Sequence, residues 1–346
     1  MPETRFDSLR RRLAQKILRS LPLTPLPPEL ELITPDQLAE VKQFFSLPKF
    51  FIFGYPRSGT TLLMRLVSLH PQVYCGREAH FFTKADDATR VFADQDIRRW
   101  LEKKSNRWTA GQDMSTPVVR ALIDFILERE ARRCGKTVVG DKTPNSNGKV
   151  AVQRLHAVYP DARLIYIVRD GRDAALSHRF QHFIDHPEYL TPADLHIRDD
   201  FARDSVPYFH KQRSVFTPEA LQKEAAAWSK NVMESDLVGQ ELFGAQYFSL
   251  CYESLLANPA AEMRRLWSFL GVEPGFPEAE SLVLAKMTYN PGAEAQQKKE
   301  SALSRNLPRG RQGSWKEIFT PRDCAVFKQH AGEALVRWGY EKDLNW

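Results

Sequence analysis

The segment FFIFGYPRSGTTLLMRLV, residues 50–67, constrains the fold of this chain more than any other stretch. An almost wholly apolar run ends at Gly54, a short loop closes at Gly59, and an amphipathic helical pattern follows. Such a run is what a strand covered on both faces requires. A glycine-bounded loop that opens into a helix N-terminus is a ready cradle for an anion. Gly54 and Gly59 let the backbone curl, Ser58, Thr60 and Thr61 can turn amides and hydroxyls inward, and the helix from about Thr60 presents its positive end. Arg57 adds a fixed charge whose planar fork suits phosphate or sulfate oxygens. Nucleotide hydrolases place lysine in the pattern G-x-x-x-x-G-K-[ST] where this chain has Thr60. Taken alone, the loop also reads as an ordinary strand-to-helix turn with an exposed arginine.

Runs rich in β-branched and aromatic residues recur at 137–140, 163–168 and 246–252, each followed by helix-compatible sequence. This alternation predicts an α/β fold, a phosphate-loop-like parallel sheet with helices on both faces, as a single domain over residues 49–346. The short strand QVYCG at 72–76 is expected beside the first strand. Between 180 and 218 the periodicity gives way to His, Asp, Pro and aromatic residues, which reads as an irregular insertion serving as an acceptor-site lid. Before the domain, residues 1–48 hold a basic amphipathic helix at 5–21 and a Pro-rich linker. That helix suits weak contact with a membrane surface or docking on its own domain.

A second anion feature lies in RLIYIVRDGRDAALSH, residues 163–178. Arg169 stands where a parallel strand ends, and Ser177 lies about two turns into the next helix. Ligands of open parallel sheets collect outside the carboxyl ends of the strands, so both side chains can reach the crevice of the first loop. Two separated anion sites imply a ligand with two separated phosphates.

Composition narrows the class. With 346 residues, 42% apolar and 27% charged, the chain is neither disordered nor fibrous. A net charge of +6 without a polybasic tail or a recognition motif argues against a nucleic-acid partner. The four cysteines, Cys75, Cys134, Cys251 and Cys324, have neither C-x-x-C nor zinc spacing, so reduced thiols are expected. With no run of about 20 apolar residues and no signal-peptide core, a cytoplasmic enzyme fits.

These motifs together resemble the sulfotransferases that use 3′-phosphoadenosine 5′-phosphosulfate (PAPS). The resemblance spans about 49–340 and is closest to tyrosylprotein and heparan sulfate enzymes, in a soluble, bacterial-type form. It implies that Arg57, Ser58, Gly59, Thr60 and Thr61 hold the 5′-phosphosulfate, and that Arg169 and Ser177 hold the 3′-phosphate. YESLLANPAAEMRRLWSFLG resembles the segment that brings a tyrosine, here Tyr252, near the adenine. RGRQGSWKEIFT resembles the glycine-rich stretch of cytosolic members that wraps the 3′-phosphate, with Arg309 and Gly310 as contacts, although Pro308 stands where the family usually has arginine.

Sulfuryl transfer to a hydroxyl needs a base for the acceptor proton and positive charge on the leaving oxygen, and it needs no metal. CGREAHFF resembles the family stretches that carry the base, which implies Glu78 in that role. Cytosolic members use histidine instead, which leaves His80 as the alternative. VVGDKTPNS resembles the segment whose lysine meets the sulfuryl group, which implies Lys142 at the bridging oxygen with Arg57 assisting. The product would be adenosine 3′,5′-bisphosphate. Tyrosine, glycan, lipid and small-molecule hydroxyls all stay open as acceptors, as does the oligomeric state. Tyrosylprotein enzymes pair the cysteine matching Cys75 with one where this chain has Gly140, so that disulfide is not expected. The main rival, a phosphate-loop kinase, would need the loop lysine and an acidic magnesium ligand, for which Asp141 is the nearest candidate.

Overall fold

The computed structural model describes residues 31–84, 88, 99–101, 103–105, 107–109, 111–288 and 311–346. The amphipathic segment at 5–21, the Pro-rich stretch, Arg309 and Gly310 lie outside them. Along the described chain run α1 (Pro35–Phe44), β1 (Lys49–Phe53), α2 (Thr60–Val67), β2 (Val73–Arg77), α3 (Ser115–Arg133), β3 (Val138–Lys142) and α4 (Lys149–Val158). They are followed by β4 (Arg163–Val168), α5 (Gly171–Asp185), α6 (Pro192–Arg203), α7 (Val206–Phe209), α8 (Pro218–Phe243) and β5 (Tyr247–Cys251). The chain continues through α9 (Tyr252–Ala257), α10 (Pro259–Phe269), α11 (Ala279–Thr288), α12 (Trp315–Ile318) and α13 (Pro321–Arg337).

The five strands form one sheet in the order β2-β3-β1-β4-β5, and every pairing is parallel. β1 is central and buried along its whole length, as its unbroken apolar sequence requires. Its alternate side chains feed two cores. Phe51 and Phe53 join Val139, Leu164 and Tyr166 beneath α3, α4, α5, α8 and α13. Phe50 and Ile52 join Ile165, Ile167 and Leu250 beneath α2, α9, α10 and α11.

Three expectations are corrected. β2 pairs with β3 and not with β1, because β1 already has β3 and β4 on its two edges. Its half-polar sequence suits the sheet edge, where Val73 is buried but Tyr74, Cys75 and Gly76 are only partly covered. The stretch at 180–218 is largely helical: α5 runs on to Asp185, and α6 starts from a capping box of Thr191 and Asp194. Thr, Pro and Asp there act as helix-start signals, and Phe180, Phe183, Phe201, Tyr208 and Phe216 are buried in the main core. The packed body also begins before residue 49. A capping box at Thr34 and Gln37 starts α1, and Ile33 is buried with its N–H donating to the Ala157 carbonyl at 2.9 Å.

Candidate active site

The first loop leaves the carboxyl end of β1 and turns back at Ser58, whose N–H donates to the Tyr55 carbonyl at 3.1 Å. Arg57 and Gly59 both take positive φ, 71° and 90°. Glycine is required at position 59, because a Cβ there would lie 2.3 Å from the Tyr252 ring. For Arg57 the left-handed backbone is uncommon, and strain of this kind gathers at ligand sites.

The loop meets the second anion feature directly. Arg57 Nε donates to Ser177 Oγ at 3.1 Å, and Arg169 Nη1 donates to the Arg57 carbonyl at 3.2 Å. The Arg169 guanidinium also lies 4.9 Å from the centre of the Tyr252 ring. Residues from three strand ends therefore share one crevice. Burial, and then the neighbouring charge of Arg169, hold the Arg57 guanidinium below its ordinary pKa, with Asp185 and Glu78 opposing. Two like charges held this closely favour an anion between them. Ser58 Oγ and Arg169 Nε are buried with no hydrogen-bond partner among the described residues. Buried polar atoms without partners are rare, and oxygens of a phosphate or phosphosulfate are the acceptors these two fit.

Glu78 and Lys142 meet on the neighbouring strand ends. Arg77 and Lys142 are register partners, and the Glu78 N–H extends the ladder to the Lys142 carbonyl at 2.6 Å. The fully buried Lys142 ammonium donates to Glu78 Oε1 at 2.5 Å and to Thr61 Oγ1 at 3.0 Å. The lysine absent from the loop thus reaches it from β3. Glu78 and His80 both take positive φ, 56° and 53°. His80 Nδ1 lies 2.9 Å from Thr83 Oγ1, while the Glu78 carboxylate is on Lys142.

Burial works to raise the Glu78 pKa, but the hydrogen bond and charge of Lys142, helped by His80 and Arg77, outweigh it and hold the carboxyl below its ordinary 4.5. A depressed pKa means that the ion pair is present above the unfolded value and is lost as pH falls through the folded one. If Glu78 is the base, the acidic limb of kcat/KM is therefore expected to fall below pH 4.5. A limb near neutral pH would point to a histidine instead.

Two supports escaped the sequence reading. The buried Asp141 carboxylate accepts the Ala79 N–H at 3.3 Å and the Thr143 hydroxyl at 2.6 Å, and Thr143 Oγ1 accepts the His80 N–H at 3.4 Å. Asp141 is thereby committed to the loop that carries Glu78. Cys75 and Gly140 are cross-strand partners, and a Cβ on Gly140 would lie 2.4 Å from the Phe50 carbonyl oxygen. The packing of β1 leaves no room for a side chain there, and all four cysteines are unpaired.

Sheet, loop and crevice define an α/β protein of phosphate-loop architecture. Residues 48–278, more than half of the chain, match the family model described as the Sulfotransferase family, and the chain belongs to that family. Protein-tyrosine sulfotransferase A of Caenorhabditis elegans is 27% identical over 230 residues, covering 65% of this chain and 50% of that protein. Heparan sulfate glucosamine 3-O-sulfotransferase 3B1 of Mus musculus is 24% identical over 247 residues, covering 69% and 51%. The chain thus spans about half the length of these curated relatives. The mouse sulfotransferase SULT7A1 complexed with PAP superposes over 93% of this chain and 94% of its own, at 15% identity and a TM-score of 0.46, too loosely to bear on the site. No helix among the described residues is long and apolar enough to cross a membrane.

Proposed function

We propose that the chain transfers the sulfuryl group of PAPS to an acceptor hydroxyl by in-line displacement. The observation that carries this reading is the meeting of two devices in one crevice, the Lys142–Glu78–Thr61 contact and the Arg57–Ser177–Arg169 cluster. Arg57, Ser58, Gly59, Thr60 and Thr61 hold the 5′ end, Arg169 and Ser177 hold the 3′-phosphate, and Tyr252 lines the nucleoside side. Arg309 and Gly310 would complete the 3′ site. Glu78 takes the acceptor proton as the new O–S bond forms. The bond from sulfur to the bridging oxygen breaks, its electron pair passes to the departing adenosine 3′,5′-bisphosphate, and Lys142 and Arg57 stabilise that oxygen. Before substrate binds, the Glu78–Lys142 pair keeps a buried ammonium compensated. The anionic phosphosulfate then competes for Lys142 and frees the carboxylate to act.

The acceptor is a hydroxyl of a tyrosine, glycan, lipid or small molecule, a range that covers what the relatives' names declare. Unpaired cysteines favour a cytoplasmic setting. Asp185, at the end of α5, acts electrostatically on Arg57, and residues 180–218 would shape the acceptor pocket as a packed wall and not as a loose lid. Arg169→Ala is expected to weaken adenosine 3′,5′-bisphosphate binding by about tenfold or more in calorimetry, since it removes a charge-assisted contact. Unchanged affinity would refute the 3′ assignment. In a thermal-shift assay without magnesium the bisphosphate should stabilise the protein and ATP should not; the reverse would favour the kinase reading.

A further inference from the structure

One carboxylate ties the segment 311–315 to the start of α5. Asp173 lies in the first turn of that helix, four residues after Arg169, and is 1% exposed. Its Oδ2 accepts the Gly313 N–H at 2.7 Å, and its Oδ1 accepts the Trp315 N–H at 3.0 Å. Both oxygens are thus engaged by backbone amides 140 and 142 residues away in sequence. Gly313, at a φ of 77°, supplies the left-handed turn within the segment. The Trp315 ring lies against the Arg172 guanidinium at 3.8 Å and closes the far side.

This strap also touches the anion cluster. The Arg311 carbonyl accepts Arg169 Nη2 at 3.1 Å, while the Arg57 carbonyl accepts Nη1 at 3.2 Å. The two carbonyls set the plane of the guanidinium, and Nε is left buried without a partner among the described residues. One of the two groups that aim Arg169 is therefore carried by a segment that Asp173 fastens. An acidic side chain in the first turn stabilises its own helix but opposes an anion at the same terminus. With both oxygens occupied by strap amides, this carboxylate is directed to the strap.

We propose that Asp173 is a positioning residue for recognition of the 3′-phosphate: by fastening 311–315 it holds the Arg311 carbonyl where it orients Arg169. The inference rests on the sulfotransferase reading of the crevice. It separates two ligands that differ only in the 3′-phosphate, which a general contribution to stability would not do.

The test is calorimetry on the full chain, wild type and Asp173→Asn, with adenosine 3′,5′-bisphosphate and with adenosine 5′-phosphate. Asparagine keeps one acceptor and turns a donor toward the second amide. The variant is expected to lose about tenfold in affinity for the bisphosphate, the scale of one charge-assisted hydrogen bond, and less than about twofold for the 5′-phosphate. Equal losses on both ligands, or none on either, would overturn the inference. A wild type that binds the two ligands equally would overturn the PAPS reading and this inference with it. Amide exchange on the wild type gives a check independent of the variant's folding. The bisphosphate should slow exchange at Gly313 and Trp315 more than the 5′-phosphate does, and equal protection by both would also overturn the proposal.

Discussion

Glu78→Gln should lose most turnover, about 10²- to 10⁴-fold in kcat, the range that a positioned general base supplies. Affinity for adenosine 3′,5′-bisphosphate should stay within about twofold of wild type, because the half-exposed Glu78 touches Lys142 and not the cluster of Arg57, Ser177 and Arg169. The amide oxygen still accepts a hydrogen bond from Lys142, so the buried ammonium keeps a partner and the fold should persist. The same assay on His80→Asn separates the two candidate bases. His80 Nδ1 is placed on Thr83, so that variant should keep turnover within about tenfold of wild type. A fully active Glu78→Gln would remove Glu78 from the mechanism and leave His80 as the base.

Lys142→Met should lower kcat by about 10²- to 10³-fold, as expected when one preorganised group facing a developing oxyanion is removed. Methionine fills a similar volume in a site where the lysine is fully buried, so packing around β3 is retained. The orphaned partner, Glu78, is about half-exposed and can be solvated, so the loss of stability should be small beside the loss of rate. Urea unfolding alongside kcat distinguishes the two effects. A large loss of stability with turnover preserved would make Lys142 a structural cation.

Much of this was legible in the sequence because parallel strands buried on both faces announce themselves as apolar runs. β1 and β4 were found where Phe50 to Phe53 and Leu164 to Val168 stand, and the helix starting at Thr60 followed from the loop that precedes it. Strand order was not legible: QVYCG states that it is a short strand, but the choice of β3 over β1 as neighbour depends on which edge remains open. The stretch after Phe180 misled because Thr191 and Pro192 signal a loop or a helix start equally well until the cap bond to Asp194 is seen. Within the site, loop and strand ends carried their own signals. The supporting carboxylates did not, since Asp141 acts on Ala79 across 62 residues and Asp173 on Gly313 across 140. Each looks like a solvated acid beside a basic residue until the fold supplies its partner.

The most direct test of the sulfotransferase reading is incubation of the full chain with sulfur-labelled PAPS and a panel of phenols, glycans, lipids and peptides in the presence of a metal chelator. The predicted result is acceptor-dependent transfer of label to an oxygen, with release of one adenosine 3′,5′-bisphosphate per sulfuryl group and loss of both signals in Glu78→Gln. Absence of label in every acceptor, together with transfer of the terminal phosphate of ATP once magnesium is restored, would contradict it.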